Sequence, residues 1–337
     1  MADWKIFQGN SAPHDDIKRL IDPPPWRQLG GAAPSARGSE TAEQRRGRTY
    51  CASEQEVQMV NAALYLRRPL LVTGPPGSGK SSLAYAVAWE LQLRPVLVWP
   101  INSRSTLSEG LYSYDALARL RDAQSLQLLG DRAPAAHAED IGNYLRLGPL
   151  GTALATSQRG APRVLIIDEI DKSDIDLAND LLHAFEEGTF AIPELLRLAE
   201  QQTEVLIPVW DSDERAERVP IRRGRVRCDA FPLVILTSNG ERELPPAFLR
   251  RCLRLTIALP TEERLRQILR AHLGLQSISQ EAELLIKRFG EDWNSGKTVA
   301  TDQLLNAVFL ITRGATSIAE PERSSLVDTI LRELNAE

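Results

Sequence analysis

Leu70-Leu71-Val72-Thr73-Gly74-Pro75-Pro76-Gly77-Ser78-Gly79-Lys80-Ser81-Ser82-Leu83-Ala84-Tyr85-Ala86 reads as an apolar strand, a glycine-rich turn and the opening of a helix, in that order. From Gly74 to Ser81 the turn satisfies G-x-x-x-x-G-K-[ST] without a gap. Glycines let the backbone wrap an anion so that successive N–H groups point inward, and a helix N-terminus adds partial positive charge. Gly74, Pro75, Pro76, Gly77, Ser78, Gly79, Lys80, Ser81 and Ser82 therefore read as a cradle for the phosphates of a nucleoside triphosphate, ATP. Lys80 is the residue to bridge the β- and γ-phosphates, and the Ser81 hydroxyl the one to ligate Mg2+.

Further strand-like runs lie to the C-terminal side of this turn: Val96-Leu97-Val98-Trp99, Val164-Leu165-Ile166-Ile167, Leu233-Val234-Ile235-Leu236-Thr237 and residues 253–259. They are short and apolar on consecutive positions, as strands buried on both faces are, and helical patterns separate them. The fold class expected is α/β: a doubly wound parallel sheet carrying a phosphate loop (a P-loop NTPase fold). Strand signals stop after Pro260, and the rest reads as helices over 261–273, 279–293, 301–313 and 320–334, a C-terminal helical lid domain. Ser53-Glu54-Gln55-Glu56 has capping-box spacing, so the core is expected over 53–259 and the lid over 260–337. Residues 1–52 contain Pro23-Pro24-Pro25-Trp26 and a Gly/Ala/Ser/Pro tract at 30–39. They read as a flexible arm with Trp4 and Trp26 as sticky points, either draped on the core or docking to a partner or neighbouring subunit.

Two acids, Asp168 and Glu169, end the 164–167 run. At the carboxyl end of a central strand, Asp168 fits a ligand on the Mg2+ side and Glu169 the base that activates the attacking water. Asp171 and Lys172 follow and read as structural. Thr237-Ser238-Asn239 ends another strand run, where a polar side chain can hold the lytic water. Arg250 and Arg251 precede the last strand.

In this order the pieces resemble the AAA+ ATPases, and more closely their MoxR-type branch, over about residues 53–313. Gly74 to Ser81 resembles Walker A, Leu165 to Glu169 resembles Walker B, and Asn239 stands at the sensor-1 position. Gly148-Pro149-Leu150 and the stretch from Asp180 to Glu187 resemble segments flanking Walker B in that branch. The resemblance implies a homo-oligomeric ring, a hexamer, with ATP and Mg2+ at subunit interfaces. It implies Arg251 as the arginine finger, with Arg250 as runner-up, and Asn102 as a residue restraining Glu169. It also implies a protein substrate or effector, such as a von Willebrand factor A-type domain protein. One departure stands out: Thr298 to Leu305 carries no sensor-2 arginine, which leaves Lys297 or Arg313 as substitutes. Two functions follow: an ATPase that remodels or activates a protein partner, or an ATP-dependent switch assembling a signalling or defence complex with a separately encoded effector.

Between Phe190 and Phe231 the alternation breaks, and a β-hairpin insertion is expected near 205–228, turning at Arg223-Gly224. Arg222, Arg223, Arg225 and Arg227 make it basic. A solvated tip, contact with an acidic protein and contact with nucleic acid all remain open, the last giving a nucleic-acid-stimulated motor. Nucleic acid is the weakest of these, because no aromatic side chains are interleaved for base stacking. The 337 residues carry a net charge of −5, which argues against a chain-wide basic nucleic-acid binder. No apolar run approaches the ~18 residues that span a bilayer, so membrane insertion is not expected. The three cysteines fit neither a disulfide framework nor a zinc site, and the N-terminus does not read as a secretory signal. On this reading a cytoplasmic location is expected.

Overall fold

The computed structural model describes residues 6, 15, 18, 20, 22–27, 41–129, 140–210, 217–274, 278–295, 299–314 and 322–331. Trp4, the 30–39 tract and Lys297 lie outside these residues. In chain order the elements are α1 (Ala42–Arg48), α2 (Glu54–Leu66), β1 (Leu70–Thr73), α3 (Lys80–Glu90), β2 (Leu97–Pro100), α4 (Leu107–Leu111), β3 (Tyr112–Tyr114) and α5 (Ala116–Leu129). There follow β4 (Leu145–Leu147), α6 (Pro149–Thr156), β5 (Val164–Asp168), α7 (Ile175–Glu187), β6 (Thr189–Ala191), α8 (Pro193–Leu196), β7 (Glu204–Pro208), β8 (Arg218–Arg222) and β9 (Arg225–Arg227). The last are β10 (Leu233–Ser238), α9 (Pro246–Leu249), β11 (Leu253–Thr256), α10 (Glu262–Leu273), α11 (Gln280–Asn294), α12 (Thr301–Phe309) and α13 (Glu322–Ile330). None of the described helices is long and apolar enough to cross a membrane.

The chain divides into two compact units. One holds Ser53–Thr73 and Val87–Thr256; the other holds Met1–Ala52, Gly74–Ala86 and Ile257–Glu337. The first unit is built on a five-stranded sheet in the order β11-β1-β10-β5-β2, parallel throughout. Its central strands β5 and β10 are buried along their apolar runs, which is why those runs do not alternate. Leu71, Leu97, Leu165, Ile167 and Leu236 share a core with Leu150 and Leu154 of α6 and Leu181 of α7. Each such side chain contributes about 1.5–3 kcal/mol on burial. Because the strands are parallel, Thr73, Asp168 and Ser238 all end at one edge of the sheet.

The insertion is larger than a hairpin. β6, β9, β8 and β7 form a four-stranded antiparallel sheet in that order. The expected turn is present: Arg223 and Gly224 both have positive φ, 47° and 64°, the geometry that joins two right-twisted strands. The extra strand, β6, starts outside the expected 205–228 segment, directly after Gly188 ends α7 in the left-handed conformation. A second short pair, β3 with β4, is also antiparallel.

The second unit carries the C-terminal helices. Leu265, Leu269, Ile286, Phe289, Leu304 and Val308 lie in its core, and Trp26 packs against it. The Trp26 indole N–H donates to Asn306 Oδ1 at 3.0 Å, and its ring meets His272 and Phe309 edge-on. The segment read as an arm up to residue 52 therefore holds ordered structure before Ser53. α1 forms because Thr41 and Gln44 make a reciprocal capping box, Gln44 N–H to Thr41 Oγ1 at 3.1 Å and Thr41 N–H to Gln44 Oε1 at 2.9 Å. Ser53 and Glu56 make the expected box at the start of α2. The predicted helix over 301–313 runs as α12 and then widens into a π-helical turn at Leu310–Gly314.

Candidate active site

The phosphate loop belongs to the second unit. Gly77 and Gly79 take φ values of 71° and 89°, open to glycine and costly for other residues. At Gly77 a Cβ would also meet Ala300 Cβ at 2.7 Å. Lys80 is buried, and its Nζ donates to the carbonyls of Gly74 and Pro75, both at 2.8 Å. The ammonium is thus folded back into the mouth of its own loop. Ser78 Oγ is buried there without a hydrogen-bond partner. An anion with several acceptor oxygens satisfies such a set: an orphaned hydroxyl, a buried cation and a helix N-terminus. Ser82, expected beside the phosphates, instead has its Oγ engaged by Arg46 Nε at 3.1 Å, while the Arg46 guanidinium lies 5.0 Å over the Tyr85 ring.

The acids belong to the first unit. Asp168 closes β5, and Glu169 follows at φ 60°, ψ 50°, a left-handed conformation rare for a residue with a side chain. Thr237, at the tip of β10, holds both. Its Oγ1 donates to Asp168 Oδ1 at 2.6 Å and accepts the Glu169 N–H at 2.8 Å. Lys172 Nζ meets Glu169 Oε2 at 2.8 Å, with both side chains about two-fifths exposed. The hydrogen bond to Glu169 raises the Lys172 ammonium above its ordinary value against partial desolvation, helped by the charges of Glu169, Glu241 and Asp171. Asp171, 2% exposed, accepts the N–H groups of Asn239 (3.0 Å) and Glu241 (2.9 Å) on Oδ2. It thereby fixes the turn that presents Asn239, whose side chain has no hydrogen-bond partner among the described residues.

Several expected residues are used otherwise. Asn102 Oδ1 accepts the Arg104 N–H at 2.8 Å and its own N–H reaches Ser105 Oγ, so it shapes a turn; the partner of Glu169 is Lys172. Arg251 pairs with Glu186 and donates to the Ala247 carbonyl. Arg250 is exposed, with no side-chain partner among the described residues. Arg313 is bonded to the Leu273 carbonyl at the end of α10, at 2.7 Å. Sequence reasoning did not single out the Thr237 hydroxyl or the Lys172–Glu169 pair. The signal for Thr237 was a hydroxyl residue ending an otherwise apolar run.

A glycine-rich loop around a buried lysine, and two acids ending a buried parallel strand, are the chemistry of nucleotide hydrolysis. Residues 52–207 match the family model of the AAA ATPase domain. The match supports an ATP-hydrolysing AAA+ protein. It covers just under half of the chain and includes the phosphate loop, Asp168 and Glu169; Asn239, Arg250 and Arg251 lie beyond it. No curated protein matches the chain. Among the described residues there is no His/Cys/Asp/Glu cluster able to hold a metal, and the cysteines Cys51, Cys228 and Cys252 are free thiols.

Proposed function

We propose that the chain is an AAA+ ATPase of the MoxR type that binds and hydrolyses ATP at the interfaces of a cytoplasmic homo-oligomeric ring, a hexamer, to remodel or activate a protein partner. The observation that carries the ATPase reading is the phosphate loop, with Lys80 buried against loop carbonyls and Ser78 Oγ left without a partner. Lys80 neutralises phosphate charge. Ser81 and Asp168 are the residues assigned to Mg2+, which supplies further neutralisation of the phosphate oxygens. Glu169 orients the attacking water and takes its proton, with Asn239 holding that water. C-terminal helices α10–α13 serve as the lid.

The test is Mg2+-dependent ATP turnover. Lys80→Ala is expected to abolish nucleotide binding, and Glu169→Gln to bind ATP but stall. Equal turnover by wild type and Glu169→Gln would overturn the mechanism.

The Lys172–Glu169 ion pair favours a second reading, in which binding rather than cycling gives the output. A base held by an ammonium suits a switch that assembles a complex with a separately encoded effector, a von Willebrand factor A-type domain protein being one such partner. Preserved biological output with Glu169→Gln would favour this switch over the motor.

A further inference from the structure

We propose that the open edge of β6, beside Arg225 and Arg227, takes up an extended acidic segment of a partner protein as an added β-strand. The proposal stands apart from the ATPase reading and uses none of its residues.

The four-stranded sheet ends at β6. The Cys228 N–H donates to the Gly188 carbonyl, and the Ile192 N–H to the Gly224 carbonyl, so the main-chain groups of residues 188 and 192 face β9. By the two-residue period of a strand, those of Phe190 face β9 as well, and those of Thr189 and Ala191 face away. The N–H and C=O groups of Thr189 and Ala191 have no hydrogen-bond partner among the described residues. They are the donors and acceptors a new strand needs.

Charge says which strand. Residues 218–228 contain five arginines and no acid, in a chain of net charge −5. Arg222 is paired with Glu204 at 2.9 Å, and Arg218 lies near Asp140 and donates to Asn143. The side chains of Arg223, Arg225 and Arg227 have no hydrogen-bond or ion-pair partner among the described residues. Arg225 and Arg227 are exposed while Val226 between them is buried, so both point outward, directly opposite Ala191 and Thr189. An added strand lies about 4.8 Å beyond β6. Only the small side chains of Thr189 and Ala191 separate its outward residues from the two guanidinium groups. Acids two residues apart match arginines two residues apart. The same arginines reject other strands. A second copy pairing edge to edge offers only Thr189 and Ala191, which bring no acid to the two arginines, and an apolar strand likewise gains no charge pairing. Nucleic acid makes no use of the open main-chain groups, and the face formed by β6, β9 and β8 carries no outward aromatic side chain for stacking.

The test is fluorescence anisotropy with the full chain and three probes: a peptide of alternating Glu and Val, a peptide of the same composition with its glutamates grouped at one end, and a single-stranded RNA. The alternating peptide is expected to bind best, more weakly as salt rises. Arg225→Glu/Arg227→Glu is expected to weaken it about tenfold or more, as is methylation of alternate peptide N–H groups, with Arg225→Gln/Arg227→Gln intermediate. Unchanged far-UV circular dichroism checks that the variants are folded. Equal binding of the two peptides, tighter binding of RNA, or no binding of any probe would each overturn the proposal.

Discussion

Glu169 combines a strained backbone with an engaged side chain. Its left-handed backbone costs roughly 1–2 kcal/mol relative to the ordinary helical region, and its carboxylate is held by Lys172. Thr237 offsets the first by accepting the Glu169 N–H, and the same hydroxyl orients Asp168. Thr237→Val has nearly the same shape but strands that N–H group. It should destabilise the protein by about 1–3 kcal/mol and lower ATP turnover, while Thr237→Ser keeps both properties near wild type. Denaturant unfolding and turnover measured on the two variants check this. If Val and Ser behave alike, the hydroxyl does not position the acids. A second expectation concerns Cys252, whose thiol burial pushes up from 9.0 to about 12. Because the folded state favours the neutral thiol, its contribution to stability is fully present below pH 9.0 and declines as pH rises towards about 12. At about pH 8, a maleimide followed by mass spectrometry should leave Cys252 unlabelled in the native protein and label it after unfolding.

At the scale of elements, Trp26 ties the proline-rich segment to α10 and α12 through Asn306, His272 and Phe309. Arg45 adds a bond from α1 to the Pro25 carbonyl at 2.7 Å. Trp26→Ala should cost about 2–3 kcal/mol, below the cost for a fully buried tryptophan because the ring is half-buried. Hydrogen exchange in α10 and α12 should rise while exchange in β5 and β10 stays unchanged; unaltered α10 and α12 would mean the contact carries no weight. This docking also marks where the sequence was legible. The buried strands were, because apolar β-branched runs have few other uses. The pairs β3–β4 and β6–β9 were not, because three residues carry no period and their pairing is set by tertiary contacts. α1 was hidden by arginines and Gly47, yet Thr41-Ala42-Glu43-Gln44 has the same capping spacing that located α2. The glycine-rich loop and the acid pair were legible as patterns because their spacing is fixed. The bonds that position them were not, because Thr237 and Asp171 act across strands distant in sequence.

For the whole molecule, the ring reading turns on which arginine leaves its own protomer. Arg251, the better positional match, is occupied by Glu186 and the Ala247 carbonyl of its own chain. Arg250, beside it at the end of α9, is exposed and has no side-chain partner among the described residues. An arginine that must stabilise charge on a neighbour's phosphate costs least to deploy when it gives up no existing contacts. Arg250→Ala is therefore expected to reduce turnover by about 10³-fold or more with ATP affinity nearly unchanged. Arg251→Ala should chiefly weaken the α7–α9 packing that Glu186 joins. If ATP sits between protomers, an assembly mixing Arg250→Ala with Glu169→Gln contains some interfaces in which an intact base meets an intact arginine. Those mixtures should regain activity that neither variant has alone, rising and falling with the mixing ratio. An ATPase assay across mixing ratios, with assembly followed by light scattering, decides it. Assembled mixtures with no regained activity would place the arginine in its own protomer's site, or outside the chemistry altogether.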